Sequence, residues 1–222
     1  MIFLIIAESA LELVPKELQN HISVTSHAQK LKKQPSEILL DNSWHFSAMK
    51  GIKDEIKRGR PDLVHFCILE ATTIPLYQKN KIKIFVHTYD DKVIHFGNNV
   101  SIPKSYHRFE GLIEKLFLEK SIENEDKLLL KVKKQSFKEL IQELKPTKVI
   151  GFSKEGQENS LQKIATELPQ NSCIVIGGFQ KGHFSNDLQN QLDEIFSIGD
   201  DSFEAHVIIA RILYEYEKTI FM

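Results

Sequence analysis

Apolar residues are distributed along this chain in two regimes. Up to about Leu144, short apolar runs are separated by polar stretches of uneven length. From Lys148 onward, apolar runs and amphipathic stretches alternate regularly across short loops. In the first regime, Met1–Glu8 predicts a buried strand, and Ala10–Asn20 a helix that Pro15 keeps short or kinked. His21–Ser36 is polar and ambiguous, with Lys30, Lys32 and Lys33 read as a solvated face. Asp41, Asn42 and Ser43 are good N-caps, and Phe46, Met49, Ile52 and Ile56 recur at helical spacing. That helix is expected to stop at Gly59 and Pro61. Asp62–Thr72 (DLVHFCILEAT) is apolar and β-branched and predicts a central strand containing His65. Ile82–Thr88 and Val93–Phe96 predict a hairpin across Asp90-Asp91. A basic loop Ile102–Arg108, a helix Phe109–Glu119, a strand Leu128–Val132 and a helix Phe137–Leu144 follow.

The second regime reads as strand Val149-Ile150, loop Gly151–Gly156, helix Ser160–Leu168 and strand Cys173–Ile176. Then come loop Gly177–Gly182, a short helix, strand Glu194–Ile198 and an amphipathic helix from Phe203 to about Glu217. Such alternation argues for α/β architecture: a mostly parallel sheet flanked by helices, in a single domain over residues 1–222. A small β-rich insertion is expected at about 75–100. Within this pattern, Cys173–Gly182 (CIVIGGFQKG) stands out. A β-branched run buried on both faces ends in glycines at a sheet's carboxyl edge, where open α/β folds bind ligands. The loop has neither the GxGxxG spacing nor the GxxxxGK[ST] phosphate loop, so it does not by itself name a ligand.

Composition narrows the class without naming it. With 41% hydrophobic and 27% charged residues, the chain matches an ordinary soluble globular protein. No apolar run approaches the ~20 residues of a membrane helix. Met1–Ala7 lacks the basic flank and cleavage site of a signal peptide, and Cys67 and Cys173 sit far apart in apolar runs as core thiols would. A cytoplasmic protein is expected, with no membrane partner. Net charge is −1, which gives no global attraction to nucleic acid. Residues 1–111 carry a net +3 and residues 112–222 a net −4, so phosphate binding must rest on local clusters in the front half.

Two such clusters stand out. Lys57-Arg58-Gly59-Arg60-Pro61-Asp62 places three cations at a helix end, suited to phosphate oxygens, with Asp62 placed to orient the Arg60 guanidinium. The bland reading is favourable cations against a helix dipole. Lys104, His107 and Arg108, interleaved with Tyr106 and Phe109, suit unpaired RNA, or else are a loop and helix start with core aromatics. The histidines, including His45, His65, His87, His95, His107, His183 and His206, show no HxH or HExxH spacing and no cysteine pairing, so no metal site is expected. His65 and His87 read as hydrogen-bonded core residues.

The ordered set of segments resembles a known family. It comprises Leu39-Leu40-Asp41…His45…Ala48-Met49-Lys50, then Lys57–His65, then Val86-His87-Thr88. It continues in Ile102–Leu112, Ile176–Phe179 and Arg211–Glu217. Together they resemble the ribosome-biogenesis pseudouridine N1-methyltransferases, a family of the SPOUT class with a knotted C-terminus. The resemblance implies a trefoil knot within residues 148–222 and a homodimer using S-adenosylmethionine (S-adenosyl-L-methionine). It also implies methylation of N1 of a pseudouridine in a small-subunit ribosomal RNA stem-loop, with ribosomal proteins as further partners. Carried over by position, Gly177, Gly182, Ile195, Phe196, Ser197, Ile198, Gly199 and Asp200 would contact the cofactor, mostly through backbone, with Gly151–Gly156 alongside. Arg60, Ser101, Lys104 and Arg108 would contact RNA, and Asp62 would brace Arg60 as its catalytic partner or take the N1 proton itself. Where the family usually reads Arg-Ile-Pro-Arg, this chain has Ser101-Ile-Pro-Lys104, losing one cation and one bidentate fork. The family's tryptophan in the last helix corresponds to His206. Methyl transfer from a sulfonium needs positioning and a splayed-out nucleotide, and basic clusters beside cofactor loops answer that need. The alternatives are a non-catalytic RNA-binding assembly factor and a related enzyme acting on tRNA.

Overall fold

The computed structural model describes residues 1–125, 127–199 and 201–221 of the 222-residue chain. Its strands are β1 (Ile2–Ser9), β2 (Ile82–Thr88), β3 (Lys92–Phe96), β4 (Ser121–Asn124), β5 (Lys127–Lys134), β6 (Val149–Glu158), β7 (Cys173–Gly177) and β8 (Glu194–Ser197). The helices are α1 (Ile22–Leu31), α2 (Asn42–Met49), α3 (Pro61–Thr72), α4 (Pro75–Gln78), α5 (Tyr106–Glu119), α6 (Phe137–Leu144), α7 (Leu161–Glu167), α8 (Asn186–Gln189) and α9 (Ala205–Phe221). One sheet runs in the order β4-β5-β3-β2-β1-β7-β6-β8. From β2 to β8 every neighbouring pair is parallel, while β3, β5 and β4 add an antiparallel edge. The expected mostly parallel α/β sheet is present.

The opening strand takes the centre. Every residue of β1 is buried, and its side chains alternate between two cores. Ile2, Leu4 and Ile6 face a core shared with Val64, Ile68, Phe109 and Ile209; Phe3, Ile5 and Ala7 face Phe137, Leu140 and Leu188. The hairpin expected within 75–100 is built into the main sheet, because β2 pairs in parallel with β1 before turning back into β3.

Four local expectations are corrected. Asp62–Thr72 is helix α3, started by Pro61 at its first position, where the missing N–H costs nothing. Its buried residues Leu63, Val64, Cys67, Ile68 and Ala71 recur at helical spacing, but a helix enclosed on most sides reads as a continuous apolar run. Ala10–Asn20 holds a single 3-10 turn, Lys16–Leu18, and Leu13 bridges to Leu39. The ambiguous stretch after it forms α1. The helix from Asp41 is capped as expected, the carboxylate accepting the Ser43 N–H at 2.8 Å, but it ends at Met49. Gly151–Gly156 continues β6 as a strand whose pairing with β8 slips, Phe152 and Gln157 both facing Phe196.

Candidate active site

At the carboxyl edge of β7, β6 and β8 lies a cavity of about 320 Å³. Its lining comes from the end of β7 and the loop after it (Gly177, Phe179, Gly182), the end of β8 and the residue after it (Phe196, Ser197, Ile198) and the start of α9 with its approach (Phe203, Ala205). Phe152, Ser153 and Lys154 of β6 complete one wall. The loop leaves β7 under tight constraint. The Gly178 N–H donates to the Ala7 carbonyl at 2.8 Å, and its own carbonyl accepts the Ala10 N–H at 2.8 Å. A Cβ at Gly178 would stand 2.8 Å from the Ser9 Cα, too close for any side chain. Gly182 has φ +107°, a conformation glycine alone adopts without strain. Apolar rings beside bare loop backbone suit a ligand with a flat heteroaromatic part and a polar tail.

Of the residues expected to hold a cofactor, Gly177, Gly182, Phe196, Ser197 and Ile198 line this cavity. Ile195 sits in β8, paired with Gly151. Gly199 follows at φ +127°, its carbonyl accepting the Ser197 hydroxyl at 3.0 Å. Asp200 lies outside the described residues. Phe203 and Ala205, contributed by the approach to the last helix, had no sequence signal beyond their place before an amphipathic run.

The front-half cations divide according to their partners. Arg58 is internal, only 6% exposed, and clamps both oxygens of Glu12 at 2.7 and 2.8 Å. It is therefore no phosphate ligand, contrary to the reading of three available cations. Lys57 pairs with Glu8 at 2.8 Å. Arg60 is half-buried, and its Nε and Nη2 donate to the two Asp62 oxygens, both at 2.8 Å. This bond raises the Arg60 pKa. Burial would raise the Asp62 pKa, but the hydrogen bonds and charge of Arg60 outweigh it and hold the carboxyl below the usual aspartate range.

The second cluster docks onto the first. His65, one turn after Asp62, holds the Pro103 carbonyl at 2.7 Å through Nε2 and stacks on Phe109 at 4.3 Å between centroids. The Tyr106 hydroxyl donates to Asp41 at 2.6 Å, and Asp41 caps α2. Phe109 is core, so of the two aromatics interleaved with cations only Tyr106 is partly exposed. Ser101, Lys104 and Arg108 are exposed. His87 is buried, as expected, with its Nδ1 accepting the Glu8 N–H at 3.3 Å.

Two contacts bring cavity and cations together. The Lys57 ammonium lies 4.6 Å from the centroid of the Phe179 ring, a cavity wall. Phe66 of α3 packs against His206 at the start of α9, ring centroids 5.8 Å apart. The helix whose start carries Arg60 and Asp62 is thus packed on the helix whose first residue, Ala205, lines the cavity.

The chain is similar to known proteins over nearly its whole length. The profile of the EMG1/NEP1 methyltransferase family matches residues 4–217. A Thermococcus sibiricus protein named ribosomal RNA small subunit methyltransferase Nep1 is 37% identical over 222 residues, covering 99% of both chains. A Staphylothermus marinus protein of the same name is 36% identical, covering 96% of this chain and 93% of its own. The crystal structure of Archaeoglobus fulgidus Nep1 bound to S-adenosylhomocysteine superposes with a TM-score of 0.87 at 31% identity, over 97% of this chain and 96% of that one. The family profile over residues 4–217 and this full-length similarity make one assignment: the chain belongs to the EMG1/NEP1 methyltransferase family.

Proposed function

We propose that this protein methylates N1 of a pseudouridine in small-subunit ribosomal RNA, with S-adenosylmethionine as donor, during small-subunit assembly in the cytoplasm. The observation that carries the reading is the Arg60–Asp62 pair at the start of α3, a helix packed on the start of α9, which closes a glycine-edged cavity. The family resemblance and the S-adenosylhomocysteine bound to the Archaeoglobus relative support the donor.

Gly177, Gly182 and the Ile195–Gly199 segment hold the donor. When bound, it would supply an electrophilic methyl on a sulfonium, which would pass to N1 as the N1 proton is lost to water and S-adenosylhomocysteine is left. The chain's own residues position the acceptor. Arg60 keeps one orientation because two parallel bonds to Asp62 fix its plane, leaving its remaining N–H groups to the nucleotide or its phosphate. Lys104 and Arg108 neutralise backbone phosphates, which lets a nucleotide swing out of the RNA fold toward the cavity. Asp62 braces and does not abstract the N1 proton, since Arg60 holds its carboxyl in the weakly basic, ionised form. Proximity and orientation then supply most of the acceleration.

The chain works as a homodimer with the trefoil knot of its class. Phe66 on α3 and Tyr214 on α9 are about half exposed, and Phe66 packs beside His206, so adjacent helices present apolar area suited to a second copy. Ribosomal proteins bind alongside during assembly. The slipped pairing of β6 with β8, whose Ser153 and Lys154 line the cavity, is consistent with that knot.

The test offers the purified chain and labelled donor two stem-loops that differ only in uridine or pseudouridine at one loop position. Transfer to the pseudouridine RNA alone is expected. Tight cofactor and RNA binding without transfer to any such stem-loop would favour a non-catalytic assembly factor. Light scattering is expected to give a dimer mass, and a monomer would contradict the assembly.

A further inference from the structure

The carboxyl end of β1 carries a feature that strand geometry does not require. Glu8 adopts a left-handed backbone conformation, φ 47°, and the register of β1 against β2 shifts between Ile6 and Ser9. A non-glycine residue in this region is strained and persists only where its surroundings hold it. Glu8 is also only 8% exposed. Burying a carboxylate is costly unless it is paired, so an apolar side chain would close this strand at less cost.

What the carboxylate does is join three segments. It accepts the Lys57 ammonium at 2.8 Å and the Ser185 N–H at 3.0 and 3.2 Å to its two oxygens. The Glu8 N–H donates to His87 Nδ1, and His87 Nε2 meets Asp91 at 3.1 Å. Burial lowers the His87 pKa, which keeps the imidazole neutral and Nδ1 free to accept. Ser185 closes the loop that began at Gly177, and the other end of that loop is the Gly178 backbone, bonded to Ala7 and Ala10. Both ends of the cofactor loop are thus fastened to the same short stretch of β1. Lys57 lies across the loop between them, its ammonium over Phe179 and its stem beside Gly182. Three residues after Lys57 stands Arg60.

Resting on the cofactor assignment above, we propose that Glu8 is a positioning residue for methyl transfer. Its carboxylate clamps Ser185 and Lys57, holding the donor-binding loop closed on its ligand. Glu8 touches neither substrate nor donor. Its effect runs through the loop, so donor affinity is lost while the RNA surface of Lys104 and Arg108 is untouched.

The test is calorimetric titration of the full-length protein with S-adenosylhomocysteine, alongside RNA binding and thermal unfolding. Glu8→Gln keeps an acceptor for Ser185 but loses the ion pair, and is expected to weaken binding about tenfold, as loss of a charge-assisted bond does. Glu8→Ala should weaken it further. Lys57→Met loses the same ion pair and the cation–π contact and should weaken it by about tenfold or more, with Lys57→Arg within about twofold of wild type. RNA affinity of the Glu8 variants should stay within about twofold. Unchanged ligand affinity across the Glu8 and Lys57 variants, or equal losses of ligand and RNA binding, would overturn the proposal. Should the Glu8 variants not fold, Lys57→Met against Lys57→Arg decides it. A wild-type protein that binds no S-adenosylhomocysteine would remove the cofactor assignment itself and the clamp with it.

Discussion

Two regions of this molecule meet at one site but are built on different principles. The cavity at the sheet's carboxyl edge is shaped mainly by backbone: parallel strands in register, a loop pinned at Gly178, and glycines where side chains do not fit. The cationic edge opposite is shaped by side-chain pairing. Arg58 and Arg60 stand two residues apart with the same chemistry, yet one is an internal strut on Glu12 and the other is presented on Asp62. The lesson is that a basic cluster acquires a function only through the partners it keeps.

The comparison breaks most visibly at the two arginines. Arg58→Ala leaves Glu12 buried without its partner and is expected to cost about 3–5 kcal/mol in urea unfolding. Burial already raises the Glu12 pKa even with Arg58 present. Arg60→Ala should leave stability within about 1 kcal/mol and lower methyl transfer about 10²-fold, the scale of lost positioning. Equal stability losses would mean that Arg60 too is a strut.

The backbone-built region is probed by Gly178→Ala and Gly182→Ala. At Gly178 the new methyl meets the Ser9 backbone, so a destabilisation of about 1–3 kcal/mol is expected. At Gly182 a new methyl would crowd the Lys57 stem at 3.2 Å and the φ is positive, so strain there should weaken S-adenosylhomocysteine binding more than it lowers the melting temperature. Asp62→Asn separates the brace from the base. Parallel losses of about tenfold in kcat/KM and RNA affinity are expected, whereas a rate loss with unchanged binding would make Asp62 the proton acceptor.

Smaller effects sharpen the picture. Ser101→Arg restores a cation at an exposed loop position, and RNA affinity should rise severalfold with a log–log salt slope steeper by about 0.7. Acid should weaken the fold gently. His27, His45, His65, His87 and His95 all have pKa values lowered chiefly by burial, His45 to about 4. Because they stay neutral when folded, the unfolded chain takes up protons first. Their stability contribution is full above pH 6.5 and is lost as pH falls toward 4, so the melting temperature should drop by several degrees between pH 7 and 5.

The tail of the chain was legible for the reason it works. β-branched runs and glycines are local signals, and CIVIGG forms the strand and turn that its residues dictate. The Arg60–Asp62 brace was legible because a proline holds its partners two residues apart. The Arg58–Glu12 and Glu8–Lys57 pairs were not, because they join residues 46 and 49 positions apart and nothing local marks the partner. Helix α3 was misread as a strand since a helix wedged between sheet and α9 is apolar on nearly every side. The slipped strand at 151–158 was hidden because glycine spacing cannot distinguish a loop from an irregular strand.

The central claim is that glycine-edged turns near the tail hold the methyl donor beside the braced Arg60. A crystal structure of the protein with S-adenosylhomocysteine tests it most directly. The ligand is expected between the Gly177–Gly182 loop and the Ile195–Gly199 segment, with its sulfur facing the Arg60 side. Density for it anywhere else, including the larger cleft beside Glu8 and His87, would contradict the account.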